Sequence, residues 1–180
     1  MLEQESPNIA PTPTLSQPGL LVMDVDSTLI DEEVIDELGA AAGIGEQIAS
    51  ITARAMNGEL DFREALQARV ALLKDLPTSV FDDVYFWIAN RLEAADGCLT
   101  GHVLGDIVTK DVKLQSLRDW ASRMGISMGQ TVAVGDGAND LPMIHAAGLG
   151  VAFCAKPAVQ ADAPHRVNER DLTRILDFLR

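Results

Sequence analysis

The chain has 180 residues, 47% hydrophobic and 4% aromatic, which is enough for one domain with a mainly aliphatic core. Its formal net charge of −13 argues against a nucleic-acid partner, because a phosphate backbone needs a basic footprint, and it disfavours anionic membrane surfaces. No apolar run approaches the ~20 residues of a membrane span, and the acidic start MLEQES lacks the apolar segment of a secretory signal. Two cysteines are too few for a disulfide framework, so we expect a cytosolic protein.

The first half of the chain begins with a proline-rich segment and then changes to strand and helix patterns. Residues 1–18 contain four of the eight prolines and predict a disordered leader. The run GLLVMDV predicts a strand buried on both faces of a parallel sheet. Residues 33–77 have helical spacing in three segments, which predicts a small helical unit between two parts of a sheet domain. Asp61 and Glu64 predict a capping box on the third helix.

The second half alternates between strand and helix patterns. Residues 84–89, VYFWIA, predict a strand, and the segment NRLEAADGCLTGHVLGDIVTK predicts an antiparallel hairpin. After them come the helix KLQSLRDWASRMGI, a strand in QTVAVGDGAND, a helix from DLPMIHAAG, the strand GVAFCA and a closing helix RDLTRILDFLR. This order predicts an α/β fold, with a Rossmann-like, mainly parallel sheet, flanking helices and a small inserted helical cap.

Acidic residues follow two of the predicted strands, where open α/β sheets place their sites. Asp24 and Asp26 follow the first strand, and Asp136 follows the strand TVAVG. Positions two apart in extended backbone point to the same side, so Asp24 and Asp26 can face one pocket. Asp136 meets them if the two strands are neighbours. Crowded carboxylates repel one another unless a cation lies between them, and oxygen-only ligands suit Mg²⁺.

This pattern indicates phosphoryl transfer. A carboxylate at a metal can attack phosphorus and form an aspartyl-phosphate, while a second carboxylate serves as general acid and base. Lys113 is the candidate for neutralising the phosphate oxygens. The alternative is that Asp24 and Asp26 are only a turn and a helix cap. The combination of DVDST, a downstream lysine and GDGAND in this order disfavours that alternative.

The same residues resemble a known family. DVDSTLI, Lys113 and GDGAND resemble motifs one, three and four of the haloacid-dehalogenase superfamily of phosphatases. Longer segments resemble its phosphoserine phosphatase family in the same order: DSTLIDEEVIDELG, ALQARVALLKDLP, ANRLEAADGCLTGHVLG, VAVGDGANDLPMI and GVAFCAKP. The resemblance implies an Mg²⁺-dependent phosphatase that hydrolyses O-phosphoserine through an aspartyl-phosphate, the last step of serine biosynthesis. It assigns residues 19–32 and 89–180 to the core, 33–77 to the cap and 78–88 to a shortened junction.

The resemblance also implies roles for the residues around the carboxylates. Asp24 would be the nucleophile and Asp26 the general acid and base. Mg²⁺ would bind the carboxylates of Asp24 and Asp136 and the backbone carbonyl of Asp26. Asp140 would support the metal ligands, and Lys113 would hold the phosphate and the nucleophile.

Substrate contacts are implied in the same way. Asn139 would contact the phosphate, Glu33 the amino group of the substrate and Arg69 its carboxylate. These pairings are chemically sensible, since arginine binds a carboxylate through two hydrogen bonds and an acid complements an ammonium group. The remaining supporting positions are Thr28, Met56 and Phe62.

The family's second motif is missing from this chain. Between LKDLP and ANRLE the family has a helix, a strand ending in a Ser-Gly-Gly turn, and another helix. Here only TSVFDDVYFWI joins these segments, and a strand with flanking helices needs roughly 30 or more residues. The Ser-Gly-Gly turn would supply donors to the phosphoryl group, and losing one such donor can lower the rate ~10²–10³-fold.

The shortening has structural consequences and leaves alternatives open. The missing strand would pair with LLVMD, so we expect an open sheet edge that VYFWIA covers or that two chains share in a homodimer. The chain is then an active phosphatase for O-phosphoserine, a phosphatase for another small phosphomonoester, or an impaired remnant. A remnant would serve as a metal- or phospho-ligand-binding or regulatory module. An internally deleted form of a longer enzyme would show the same pattern.

Overall fold

The computed structural model describes residues 12–56, 59–78 and 90–179, without the side chains of Ala41 and Met56. The chain forms two compact units. We call them the sheet unit, Met1–Leu29 with Lys110–Arg180, and the helical unit, Ile30–Thr109. None of the described helices is long and apolar enough to cross a membrane.

The regular elements of the described residues are six α-helices and six strands. In chain order they are β1 (Leu20–Met23), α1 (Val34–Ala41), α2 (Gly45–Met56), α3 (Phe62–Leu72), β2 (Arg91–Ala95), β3 (Cys98–Leu104), α4 (Lys110–Arg123), β4 (Thr131–Gly135), α5 (Leu141–Ala146), β5 (Leu149–Phe153), α6 (Pro157–Asp162) and β6 (His165–Val167). Irregular or 3-10 helical turns occupy Val25–Leu29, Met128–Gln130 and Leu172–Phe178.

The sheet unit contains a four-stranded parallel sheet in the order β1-β4-β5-β6. Every residue of β4 and β5 is buried, as expected for aliphatic strands covered on both faces. One face packs Val134 and Phe153 against the closing 3-10 turn, and the other packs Ala133 against Leu117 of α4 and Met143 of α5. The predicted mainly parallel α/β sheet with flanking helices is therefore confirmed.

The strand β1 is less buried than its apolar sequence predicts. Among the described residues it pairs only with β4, and the side chain of Leu21 is 53% exposed. The prediction of burial on both faces is therefore wrong at Leu21, since sequence hydrophobicity does not show how many neighbours a strand has. The segment 84–89 lies outside the described residues, so its pairing with β1 stays a prediction, as does the homodimer.

The helical unit confirms the predicted helices and hairpin. Asp61 Oδ1 accepts a hydrogen bond from the Glu64 backbone N–H at 2.8 Å, and Glu64 Oε2 accepts one from the Asp61 N–H at 2.9 Å. The helices and the hairpin share a core of Leu38, Ile48, Leu73 and Leu99. In this division the hairpin β2–β3 groups with the helices, whereas the sequence assigned residues 89–109 to the core. The predicted domain boundaries stay a prediction.

Two ends of the sheet unit differ from expectation. Part of the predicted disordered leader is bound to the sheet unit, because the Gln130 side chain accepts from the Thr14 N–H at 3.2 Å and donates to its carbonyl. One amide side chain can satisfy the backbone N–H and the carbonyl of a single residue, and composition cannot reveal such a pairing. The closing segment Leu172–Phe178 is a 3-10 rather than an α-helix. The short α6 and β6 were not predicted, because their six and three residues are below the length at which periodicity is informative.

Candidate active site

Three acidic side chains meet beyond the carboxyl ends of β1 and β4. These strands are parallel neighbours with Met23 opposite Val134, and the Asp24 N–H extends the pairing to the Val134 carbonyl at 2.9 Å. Asp24 and Asp136, the residues after each strand, are therefore adjacent. One carboxylate oxygen each from Asp24, Asp136 and Asp140 lies within 4.8 Å of the other two.

Asp140 is fully buried and is held by two glycines that sequence reasoning did not single out. The backbone N–H of Gly137 donates to Asp140 Oδ2 at 3.0 Å. A Cβ on Gly135 would overlap the Asp140 carboxylate, so β4 must end in glycine for this side chain to fit. The signal for both residues was present in GDGAND, since a glycine at a strand end often marks a close approach of backbone and side chain.

Lys113 connects two of the three acids. Its Nζ lies 2.8 Å from Asp24 Oδ2 and 2.7 Å from Asp140 Oδ1, and its side chain is only 15% exposed. Lys113 lies within the first turn of α4, which begins at Lys110, three residues before the predicted helix KLQSLRDWASRMGI. Burial lowers the pKa of Lys113, but the charges and hydrogen bonds of Asp140 and Asp24 outweigh burial, so its pKa is raised overall.

The pKa of Asp140 is raised as well, to about 6. Burial is the main cause and the Asp24 charge adds to it, while Lys113 and the Gly137 N–H oppose the shift. The cluster places three carboxyl groups around one lysine. This excess of acidic groups, together with an all-oxygen donor set, fits a hard divalent cation.

The loop Val25–Leu29 carries the second acid of DVDST. The sequence argument used extended backbone to place Asp24 and Asp26 on one side, but the strand ends at Met23 and the loop turns. Extended alternation therefore does not apply across this pair. Asp26 has φ −62° and ψ 134° and is half-buried. The buried Thr28 donates to Asp136 Oδ1 at 3.4 Å, which ties the loop to the end of β4.

The other site candidates lie in both units. Asn139 is half-buried in the turn between β4 and α5. In the helical unit, Glu33 directly precedes α1, and Arg69 on α3 donates from Nε to the Ala65 carbonyl at 3.4 Å. Phe62 begins α3 and is 42% exposed. Met56 ends α2, and its side chain lies outside the described part of the structure. The substrate roles of these residues stay predictions.

Comparison with known proteins identifies the class of enzyme to which the chain is similar. A model of the haloacid dehalogenase-like hydrolases matches residues 85–179, which is more than half of the chain. The phosphoserine phosphatase of Streptococcus thermophilus is 48% identical over 205 positions, covering 89% of this chain and 95% of that protein. This alignment is longer than the 180-residue chain, so the relative contains residues with no counterpart here. That difference agrees with the internal shortening recognised in the sequence.

Solved structures agree with these sequence matches. A substrate-bound phosphoserine phosphatase is 34% identical with a TM-score of 0.80, covering 91% of this chain and 99% of that chain. A phospho-aspartyl intermediate analogue of phosphoserine phosphatase is also 34% identical, with a TM-score of 0.78 and coverage of 90% and 99%. The chain belongs to the phosphoserine phosphatase family of the haloacid dehalogenase-like hydrolases, and it is a phosphoric monoester hydrolase.

Proposed function

We propose that the chain is an Mg²⁺-dependent phosphatase that hydrolyses O-phospho-L-serine to serine and phosphate, the last step of serine biosynthesis. The observation that supports it best is the cluster of Asp24, Asp136 and Asp140 with Lys113 in contact with two of them. This cluster offers a carboxylate nucleophile, further acids for a metal and a lysine for phosphate, in a chain of the phosphoserine phosphatase family. We expect the reaction to occur in the cytosol.

The proposed mechanism has two displacements at phosphorus. A carboxylate oxygen of Asp24 attacks the phosphorus atom, the bond from phosphorus to the serine oxygen breaks, and Asp26 protonates the leaving oxygen. Asp26 then takes a proton from water, which attacks the phosphorus of phospho-Asp24 and releases phosphate. Lys113 contacts one Asp24 oxygen at 2.8 Å, which would orient the nucleophile and offset the charge of the phosphate.

The metal would bind among the acids of the sheet unit. Asp24 and Asp136 would provide carboxylate oxygens and Asp26 its backbone carbonyl, while Asp140 supports the cluster from its buried position. When bound, Mg²⁺ supplies positive charge that stabilises the transferring phosphoryl group. The Asp140 contacts with Lys113 and Gly137 hold this carboxylate in place.

Charged and polar side chains would select the substrate. Lys113 and Asn139 would bind the phosphate, Glu33 the ammonium group and Arg69 the carboxylate. The present Arg69 hydrogen bond to a backbone carbonyl involves only Nε, so its two terminal nitrogens can serve a carboxylate. Met56 and Phe62 would form the apolar lining of the cap.

A second candidate function is a metal- or phospho-ligand-binding module without turnover. The observation that favours it is the absence of any Ser-Gly-Gly in the sequence, which removes the donor turn of the second motif. The retained acids and lysine would still bind a cation and a phosphate. This candidate and the enzyme therefore differ in phosphate release and not in ligand binding.

The test is phosphate release from O-phospho-L-serine in Mg²⁺ and in EDTA. We expect release that requires Mg²⁺ and is abolished by Asp24→Asn, because an amide cannot form the aspartyl-phosphate. Asp111→Asn, an exposed acid on α4, is the control and should retain activity. Substantial turnover by Asp24→Asn would contradict the mechanism.

Two further outcomes separate the alternatives. A folded sample that binds Mg²⁺ or phosphate without releasing product would favour the binding module. Faster release from another small phosphomonoester, such as O-phosphothreonine or p-nitrophenyl phosphate at matched concentration, would reassign the substrate. Loss of the preference for phosphoserine in Arg69→Met would support the role of Arg69 in binding the substrate carboxylate.

A further inference from the structure

An arginine far along the chain contacts the loop that carries Asp26. Arg170 follows β6, and its Nη1 donates to the carbonyl of Ser27 at 2.6 Å, across 143 positions of sequence. The guanidinium carbon lies 5.3 Å from the centre of the Phe153 ring. Phe153 ends β5 and is 1% exposed, so the ring is a fixed surface for the arginine.

The loop needs such support because its backbone is in an uncommon conformation. Ser27 has φ 52°, in the left-handed region that residues other than glycine seldom adopt. A conformation of this kind persists only where the surrounding structure holds it, and it is frequent at functional sites. The neighbours of Ser27 are Asp26 and Thr28, so rotation of its peptide group would move both.

Two contacts with distant segments hold adjacent residues of the loop. Thr28 Oγ1 donates to Asp136 beyond β4, and the Ser27 carbonyl accepts from Arg170 beyond β6. The peptide plane between Ser27 and Thr28 is therefore held directly at its carbonyl by Arg170, and the residue that follows it is held through its side-chain hydroxyl. The Arg170 guanidinium donates a directed hydrogen bond to the Ser27 carbonyl and also lies over the buried Phe153 ring. A lysine would not reproduce this combination, because its ammonium group is not planar.

We infer that Arg170 is a positioning residue that holds the loop Val25–Leu29 in the conformation that presents Asp26 to the leaving oxygen. The contact that carries this role is the hydrogen bond from Arg170 to the Ser27 carbonyl. The role given to Asp26 rests on the proposed function, whereas the effect of Arg170 on the loop backbone does not.

The test compares Arg170→Met with Arg170→Lys and with the control Arg174→Met. Arg174 lies four residues further on and contacts Glu169 and Asp177 of its own segment, with half of its side chain exposed. The first readout is hydrogen exchange of the backbone amides of residues 25–29 in the full chain. We expect exchange to become at least tenfold faster in Arg170→Met and to stay unchanged in Arg174→Met, while circular dichroism confirms that both are folded.

The second readout is kcat with two substrates. O-Phosphoserine leaves as an alkoxide that needs a proton, whereas p-nitrophenolate leaves without one. A misplaced general acid should therefore lower kcat for phosphoserine at least tenfold more than kcat for p-nitrophenyl phosphate, with little change in KM. Arg170→Lys should recover only part of this loss.

The outcomes separate the inference from the proposed function. Unchanged exchange in Arg170→Met, or equal losses with both substrates, would overturn the inference even in an active enzyme. If the parent chain releases no phosphate, the proposed function fails and the exchange readout alone decides whether Arg170 holds the loop.

Discussion

Replacing Lys113 with methionine should destabilise the sheet unit, because it removes the cation that two acids share. Asp140 is fully buried and Lys113 is 15% exposed, so little water can replace the lost charge. Removing one partner of a buried ion pair typically costs about 3–5 kcal/mol, and the partial exposure of Asp24 at 22% places our expectation near 3 kcal/mol at pH 8. Methionine keeps much of the side-chain volume, so the loss reports on charge rather than on a cavity.

The assay is urea unfolding in EDTA, followed by tryptophan fluorescence. Lys110→Met, at the exposed start of α4, is the matched control and should change the free energy of unfolding by less than about 0.5 kcal/mol. Adding Asp140→Asn to Lys113→Met should restore stability, because it removes the buried charge that was left without a partner.

The pH dependence of the Lys113→Met loss provides a further check. Without the lysine, the pKa of Asp140 should rise beyond about 6, so the loss should be smaller at pH 5 than at pH 8. A Lys113→Met variant as stable as the control, or a double variant no more stable than the single one, would refute the assignment of Lys113 as the structural counter-charge of Asp140.

Three further predictions concern other parts of the structure. Asp61→Ala should lose about 1 kcal/mol of stability by urea titration, since it removes the capping box with Glu64, and Asp61→Asn should keep most of it. Gly135→Ala should displace the Asp140 carboxylate, costing about 1–3 kcal/mol and weakening Mg²⁺ binding measured by calorimetry, and undiminished binding would contradict the close approach. In EDTA the melting temperature of the parent chain should fall as pH rises from about 4 to about 6. The reason is that the Asp140 pKa is about 6 in the folded state and 3.8 in the unfolded state, so the folded state binds this proton more tightly. Asp140→Asn should flatten that slope.

The features predicted best from sequence depend on neighbouring residues. The Asp61–Glu64 capping box follows from side-chain chemistry within a few positions. The hairpin turn at Asp96–Gly97, two residues with positive φ, does so as well. The approach of Asp24 to Asp136 was also predictable, because acids placed after two buried strands must meet if those strands are parallel neighbours. The third acid of the cluster is Asp140, whereas the strand-end pattern predicts Asp26. Hydrophobic runs identified the strands, and their order along the chain limited the topology.

Contacts between distant segments were not predictable in this way. The exposure of Leu21 depends on which strands flank β1, and the turn after Met23 replaced the extended alternation expected for Asp24 and Asp26. The hydrogen bonds from Gln130 to Thr14 and from Arg170 to Ser27 join residues more than 100 positions apart. Nothing in the local pattern of either segment indicates its partner.

By itself, the sequence determined the parallel α/β sheet, the helical insertion and the family, because periodicity, capping and strand-end acids are local properties of the chain. Only the tertiary structure decided that Lys113 joins Asp24 to Asp140, that Gly135 must lack a side chain, and that Arg170 contacts the loop of Asp26. These depend on atoms brought within about 3 Å of one another by packing, and interaction energies between charges and donors change steeply at such distances.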